Sequence, residues 1–209
     1  MVDNRLIIFD LDGVLIDSRE VHFNSLNLAL AAVDPRYIIT NTEQASIYEG
    51  MTTKTKLEIL SHRKGLPTKL HQLIWENKQK YSATMFESFG IDYDLVNYFK
   101  IIRDNKIKIG IASNSIRETL DSCLKAIGVF DLIDISFSNE DVSNPKPSSE
   151  IYEACMRYCN TRPKNTVIFE DSEIGLTAAY SSGAMVEKIE NRSQLTLERI
   201  LNVVKLLNE

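Results

Sequence analysis

Short, nearly unbroken apolar runs punctuate this chain at residues 6–9, 107–112, 133–137, 167–169 and 184–189. They are rich in Ile, Val and Phe, and each is too short to be a buried helix, so they predict strands covered on both faces. Residues 94–105, 116–127, 148–158 and 172–182 instead carry apolar positions three and four apart, which predicts helices. Strand and helix alternate beyond about residue 90, and that order predicts an α/β fold with a parallel sheet and helices on both faces. In such sheets ligands bind beyond the carboxyl ends of the strands.

Residues 17–88 read differently. Helical periodicity covers 21–32, 42–47, 53–63 and 68–85, no strand candidate lies among them, and the turn Gly65-Leu66-Pro67 separates two of the helices. The expected organisation is therefore a catalytic core made of 1–16 and 89–209, interrupted by an all-helical subdomain over 17–88. Residues 193–207 predict an amphipathic closing helix.

Composition narrows the classes. At 209 residues the chain holds one large domain or a domain with an inserted subdomain; 44% apolar and 25% charged residues are those of a globular protein. A net charge of −5 with no basic run argues against nucleic acid as a partner. Cys123, Cys155 and Cys159 form no metal-ligand pattern and read as small buried residues. With no secretory segment and no apolar run of membrane-spanning length, the expectation is a cytoplasmic protein with no membrane partner.

The chemistry gathers where the apolar runs end. Asp10 and Asp12 follow the first run and precede Gly13; Ser113 follows the second; Glu170 and Asp171 follow the fourth; Lys146 stands in Asn144-Pro145-Lys146-Pro147. A parallel sheet brings those ends to one rim, so four distant segments converge. Two carboxylates two residues apart can divide the work of nucleophile and proton carrier, provided further acid and a cation are supplied.

These pieces, in this order, resemble the haloacid dehalogenase superfamily of phosphotransferases, in particular its sugar-phosphate phosphatases and β-phosphoglucomutases. The first motif reads Phe9-Asp10-Leu11-Asp12-Gly13-Val14-Leu15-Ile16-Asp17-Ser18 and the fourth Phe169-Glu170-Asp171-Ser172-Glu173-Ile174-Gly175. The resemblance implies a Rossmann-like core with a helical cap and an aspartyl-phosphate mechanism. Asp10 would attack phosphorus, Asp12 would serve as general acid and then base, and Ser113 and Lys146 would hold the transferring phosphoryl group. Ser113 also suits an N-cap of the helix that follows. Mg²⁺ would be held by Asp10, the backbone carbonyl of Asp12, Asp171, and Glu170 either directly or through a water. The family's dehalogenases lack an acid at the position of Asp12, so its presence favours phosphoryl transfer.

The substrate would be a small phosphorylated metabolite, the protein a monomer. By resemblance, Gly13 lets the backbone approach the phosphate closely, and His22 matches a β-phosphoglucomutase histidine that helps position the general acid/base. By the same resemblance, Gly50 and Lys54 belong to the cap loop that reads the leaving group, and Asn114 and Arg117 are further substrate candidates. Mutases carry an arginine three residues after the cap-loop glycine and a lysine shortly after the motif-two serine. This chain has Thr53, followed by Lys54, and Ile116, followed by Arg117. Both departures favour a phosphatase over a hexose-phosphate mutase, the enzymatic alternative, although Lys54, Arg117 or Lys78 would compensate if aimed at a second phosphate. A non-catalytic binding module on the same fold is the third reading.

Overall fold

Leu6, Ile7, Ile8 and Phe9 are wholly buried, as a strand covered on both faces requires. They belong to β1 (Asn4–Phe9) in a computed structural model that describes residues 4–48 and 51–208. The chain divides into two compact units, Met1–Ser18 with Phe89–Glu209, and Arg19–Ser88.

The inserted unit is helical: α1 (Arg19–Val33), the short α2 (Asn41–Glu43) running into a π-helical stretch Gln44–Tyr48, α3 (Thr53–Lys64) and α4 (His71–Glu87). Leu26, Leu30, Tyr37, Leu57, Leu60 and Ile74 form part of its own core. Thr40 and Glu43 close a capping box that starts α2. Gly65, at φ +71°, ends α3 in the left-handed conformation, at the turn the sequence places between two helices.

The other unit supplies α5 (Tyr93–Asp104), β2 (Lys108–Ala112), α6 (Arg117–Ala126), β3 (Ile135–Phe137), α7 (Glu150–Cys159), β4 (Thr161–Glu170), α8 (Glu173–Ser181), β5 (Met185–Lys188) and α9 (Leu197–Asn208). The five strands are all parallel in the order β3-β2-β1-β4-β5, so the α/β arrangement is the one the alternation predicts. Leu6 and Ile8 pack against Ile151, Tyr152 and Cys155 of α7 on one face. Phe9 stacks on Phe99 of α5 at 5.2 Å between ring centroids. All three cysteines are free and buried. Among the described residues no helix is long and apolar enough to cross a membrane.

Three strands begin away from their apolar runs, β1 by starting two residues early at Asn4. β4 begins at Thr161, six residues before the run, because its first half pairs across an irregularity near Asn4 while exposing Arg162, Pro163 and Lys164. β3 begins at Ile135 rather than 133, because the Asp134 carboxylate, not a backbone carbonyl, accepts from the Ile109 N–H at 2.9 Å.

Candidate active site

Register builds the site. Phe9 pairs with Ile111 of β2 and with Phe169 of β4, so the next residues along, Asp10, Ala112 and Glu170, stand level at the carboxyl edge. The backbone pairing continues past the strands: the Asp10 N–H donates to Phe169 O, and the Ser113 N–H to Phe137 O, both at 3.0 Å. Phe9 and Phe169, stacked at 5.1 Å, form a dry floor directly beneath.

On that floor stands a buried charge cluster. Lys146 Nζ donates to Asp10 Oδ1 at 2.5 Å and to Glu170 Oε1 at 2.7 Å, and the residues are 6%, 7% and 0% exposed respectively. Asn114 fixes the backbone that delivers the lysine: its Oδ1 accepts from the Lys146 N–H at 3.0 Å, and its Nδ2 donates to Lys146 O at 3.1 Å. Both ends of the Asn114 amide are thus engaged. Its observed contact is with the Lys146 backbone.

Glu170 accepts five hydrogen bonds. Oε1 takes Lys146 Nζ and Tyr152 OH; Oε2 takes the N–H groups of Asp171 and Ser172 and the Ser172 hydroxyl. Gly175 makes room for it, since a Cβ there would fall 1.7 Å from Glu170 Oε1. Asp12 Oδ2 accepts from Ser115 Oγ at 2.9 Å. Ser113 Oγ accepts from the Ser115 N–H at 3.0 Å, which leaves the Ser113 proton available for donation. Ser113 does not cap α6. Ile116 occupies the N-cap without a side-chain bond, and Glu140 Oε2 takes the Arg117 N–H at 2.8 Å.

The Arg117 guanidinium is committed elsewhere. It donates to Asp121, to the Ser136 hydroxyl and carbonyl, and to Asp141. A second-phosphate contact from Arg117 would require breaking that network. In the helical unit, His22 Nδ1 lies 3.2 Å from Lys78 Nζ, and its ring meets Phe86 edge-on at 5.8 Å. Lys54 is exposed in the first turn of α3, and Gly50 lies outside the described residues.

Oxygens of Asp10, Glu170 and Asp171 come within 4.8 Å of one another. Asp171 Oδ1 is buried with no hydrogen-bond partner. Gly13, at φ +88°, leaves open the space where a Cβ would sit 2.0 Å from Asp171 Oδ2. Burial pushes the Asp171 carboxyl up to about 6, with Glu170 and Asp12 adding to the effect. Burial also drives Asp10 well above the ordinary carboxylate range, against the opposing Lys146 ammonium, while that ammonium holds Glu170 low against its own burial. One ammonium cannot balance three acids packed this closely. An orphaned oxygen, an open cradle and excess negative charge are what a hard divalent cation fits. The proximity of the three carboxylates includes Glu170, but its five donors leave Asp10 and Asp171 as the oxygens available for direct contact.

Known proteins bear on the same residues. A sequence model of the haloacid dehalogenase-like hydrolase family matches residues 7–188, a span that contains every element of this site. The chain belongs to that family. Within it, a phosphorylated carbohydrates phosphatase of Thermotoga maritima is 26% identical over 209 residues, covering 97% of this chain and 87% of the relative. A Bacillus subtilis β-phosphoglucomutase is 23% identical over 186 residues, covering 86% and 80%. The crystal structure of CbbY from Rhodobacter sphaeroides in complex with phosphate shares the fold, with a TM-score of 0.76 at 19% identity over 93% of this chain and 91% of that one.

Three contributors escaped the sequence reading. Ser115 and Tyr152 carried no visible signal beyond a hydroxyl near a motif and a tyrosine in an apolar stripe. Gly175 did carry one, since a glycine inside a helix usually marks a close packing need.

Proposed function

We propose that this protein is a Mg²⁺-dependent phosphomonoester hydrolase acting on a small phosphorylated metabolite of the sugar-phosphate class. The observation that carries the reading is the buried contact of Lys146 with Asp10 at the sheet edge, with Asp12 two residues away on a different partner, Ser115. Two carboxylates in unlike surroundings suit unlike roles.

An oxygen of Asp10 attacks phosphorus, and the bond to the leaving oxygen breaks. Asp12 gives its proton to the departing alkoxide. Asp12 then takes a proton from water, the water oxygen bonds to phosphorus, and the aspartyl-phosphate bond breaks to release phosphate and restore Asp10. Lys146 and the Ser113 hydroxyl stabilise the transferring group. Asp10, Asp171 and the Asp12 carbonyl would hold Mg²⁺, with Glu170 acting through a water. When bound, the ion offsets charge on the phosphoryl oxygens and on the nucleophile. His22, Gly50 and Lys54 carry their substrate roles on motif resemblance. The engagement of Arg117 and the presence of Ile116 support hydrolysis over mutase chemistry, which needs a grip on two phosphates. Cytoplasmic location and a monomer complete the reading.

The test is phosphate release from a panel of sugar phosphates, nucleotides and small phosphomonoesters, with Mg²⁺ or with EDTA. Mg²⁺-dependent release is expected. No release, together with interconversion of a sugar 1-phosphate and 6-phosphate primed by a bisphosphate, would replace the phosphatase with the mutase.

The metal site has its own test. The folded-state value of Asp171 lies above its ordinary 3.8, so its contribution to stability is full below that value and is lost as pH rises through about 6. In EDTA the melting temperature should therefore fall over that window, and Asp171→Asn should flatten the slope. Mg²⁺ should raise the melting temperature more at pH near 7.5 than near 5, because its ligands must be ionised. Equal stabilisation at both pH values would sink the assignment of Asp171 as a ligand.

A further inference from the structure

We propose that Tyr152 is a positioning residue that sets where the Lys146 ammonium rests between Asp10 and Glu170; this rests on the phosphoryl-transfer reading above. Tyr152 is wholly buried on α7, in a stripe with Ile151, Cys155, Met156 and Cys159. A phenylalanine would fill the same volume. A phenolic hydroxyl buried among such residues is unfavourable unless it is partnered. Its partner is Glu170 Oε1, at 2.9 Å.

Glu170 does not need that bond to be satisfied. It already accepts from Lys146 Nζ, from the Asp171 and Ser172 N–H groups, and from the Ser172 hydroxyl. What the phenol changes is the competition for Lys146. Oε1 is the atom that pulls the ammonium away from Asp10, and the phenol occupies part of its accepting capacity. The ring acts on the same group, since Lys146 Nζ lies 4.8 Å from its centroid. Hydroxyl and ring thus both act on the ammonium, the first through Glu170 Oε1 and the second directly. Without the hydroxyl, Oε1 draws Nζ towards Glu170, and both the Asp10 oxygen and the phosphoryl group lose their fixed positive neighbour. Displacements of a fraction of an ångström at a reacting centre are enough to slow chemistry by roughly tenfold.

The experiment compares the full-length wild type with Tyr152→Phe, which keeps the ring and removes the hydroxyl. Hydrolysis of p-nitrophenyl phosphate with Mg²⁺ should show kcat lower by roughly tenfold and KM changed by no more than about twofold. In parallel, the ¹⁵N–¹H resonance of the Lys146 ammonium, assigned by its loss in Lys146→Met, should shift in the variant. A purely structural tyrosine would lower the melting temperature and leave both readouts in place. Unchanged kcat with an unmoved ammonium resonance overturns the proposal. A wild type that hydrolyses nothing overturns the phosphatase reading instead, and the resonance alone then decides whether Tyr152 positions Lys146.

Discussion

Asp10→Asn will lower phosphate release by roughly 10³-fold or more while leaving the protein folded and, in EDTA near neutral pH, at least as heat-stable as the wild type. The loss follows from the chemistry, because an amide has no carboxylate oxygen to bond to phosphorus. The retained stability follows from the environment. Burial raises the Asp10 carboxyl well above its ordinary range even with Lys146 beside it. A raised acid favours the folded state only below its ordinary pKa, and that support is lost as pH rises. A neutral side chain of the same shape removes this penalty, and the asparagine oxygen can still accept from Lys146. Mg²⁺ should stabilise the variant less than the wild type, because one of its ligands has gone. Near-normal phosphate release from the variant would show that another group is the nucleophile.

Why the sequence revealed so much of this site, and where it stopped, has a physical explanation. Asp10, Ser113 and Glu170 were legible as one rim because each ends an apolar run, and parallel strands in register align such ends without knowledge of any side chain. The inserted helical unit was legible because helix and strand periodicities differ. Contacts that depend on side-chain direction were not legible. Arg117 and Asn114 sit beside motif two in the sequence, yet one turns to Asp121, Ser136 and Asp141 and the other to the Lys146 backbone. The acidic pair Glu170-Asp171 also concealed a division. Glu170, the last residue of β4, is wholly buried under five donors, while Asp171, one residue on, keeps an unpartnered oxygen. The early start of β4 was invisible for a related reason, since backbone pairing across exposed polar residues leaves no hydrophobic trace.

Lys146→Met carries the largest expected effect on stability. The lysine side chain is 3% exposed and donates to two carboxylates, whose own side chains are 9% and 0% exposed. Methionine matches its length but leaves both acids buried without their shared cation. Removing one partner of a buried ion pair typically costs about 3–5 kcal/mol, which for a protein of this size corresponds to a melting temperature lower by roughly 10 °C. The pH dependence separates this cause from simple loss of packing. In the wild type Lys146 holds Glu170 below its ordinary value, so the stability from that pair is present above the ordinary carboxylate range and is lost as pH falls through it. In the variant, burial acts on both acids without the ammonium, opposed at Glu170 by the remaining Tyr152, Asp171 and Ser172 donors; both values rise, and stability declines as pH increases. The gap in melting temperature between the two proteins, measured in EDTA, should therefore widen from about pH 5 to about pH 7.5. A packing defect would give a gap independent of pH. Phosphate release should fall by roughly 10²-fold or more, since the transferring group loses its fixed cation. Lys146→Arg should not restore it, because a planar guanidinium cannot take the place of a compact ammonium held between two oxygens and the Tyr152 ring.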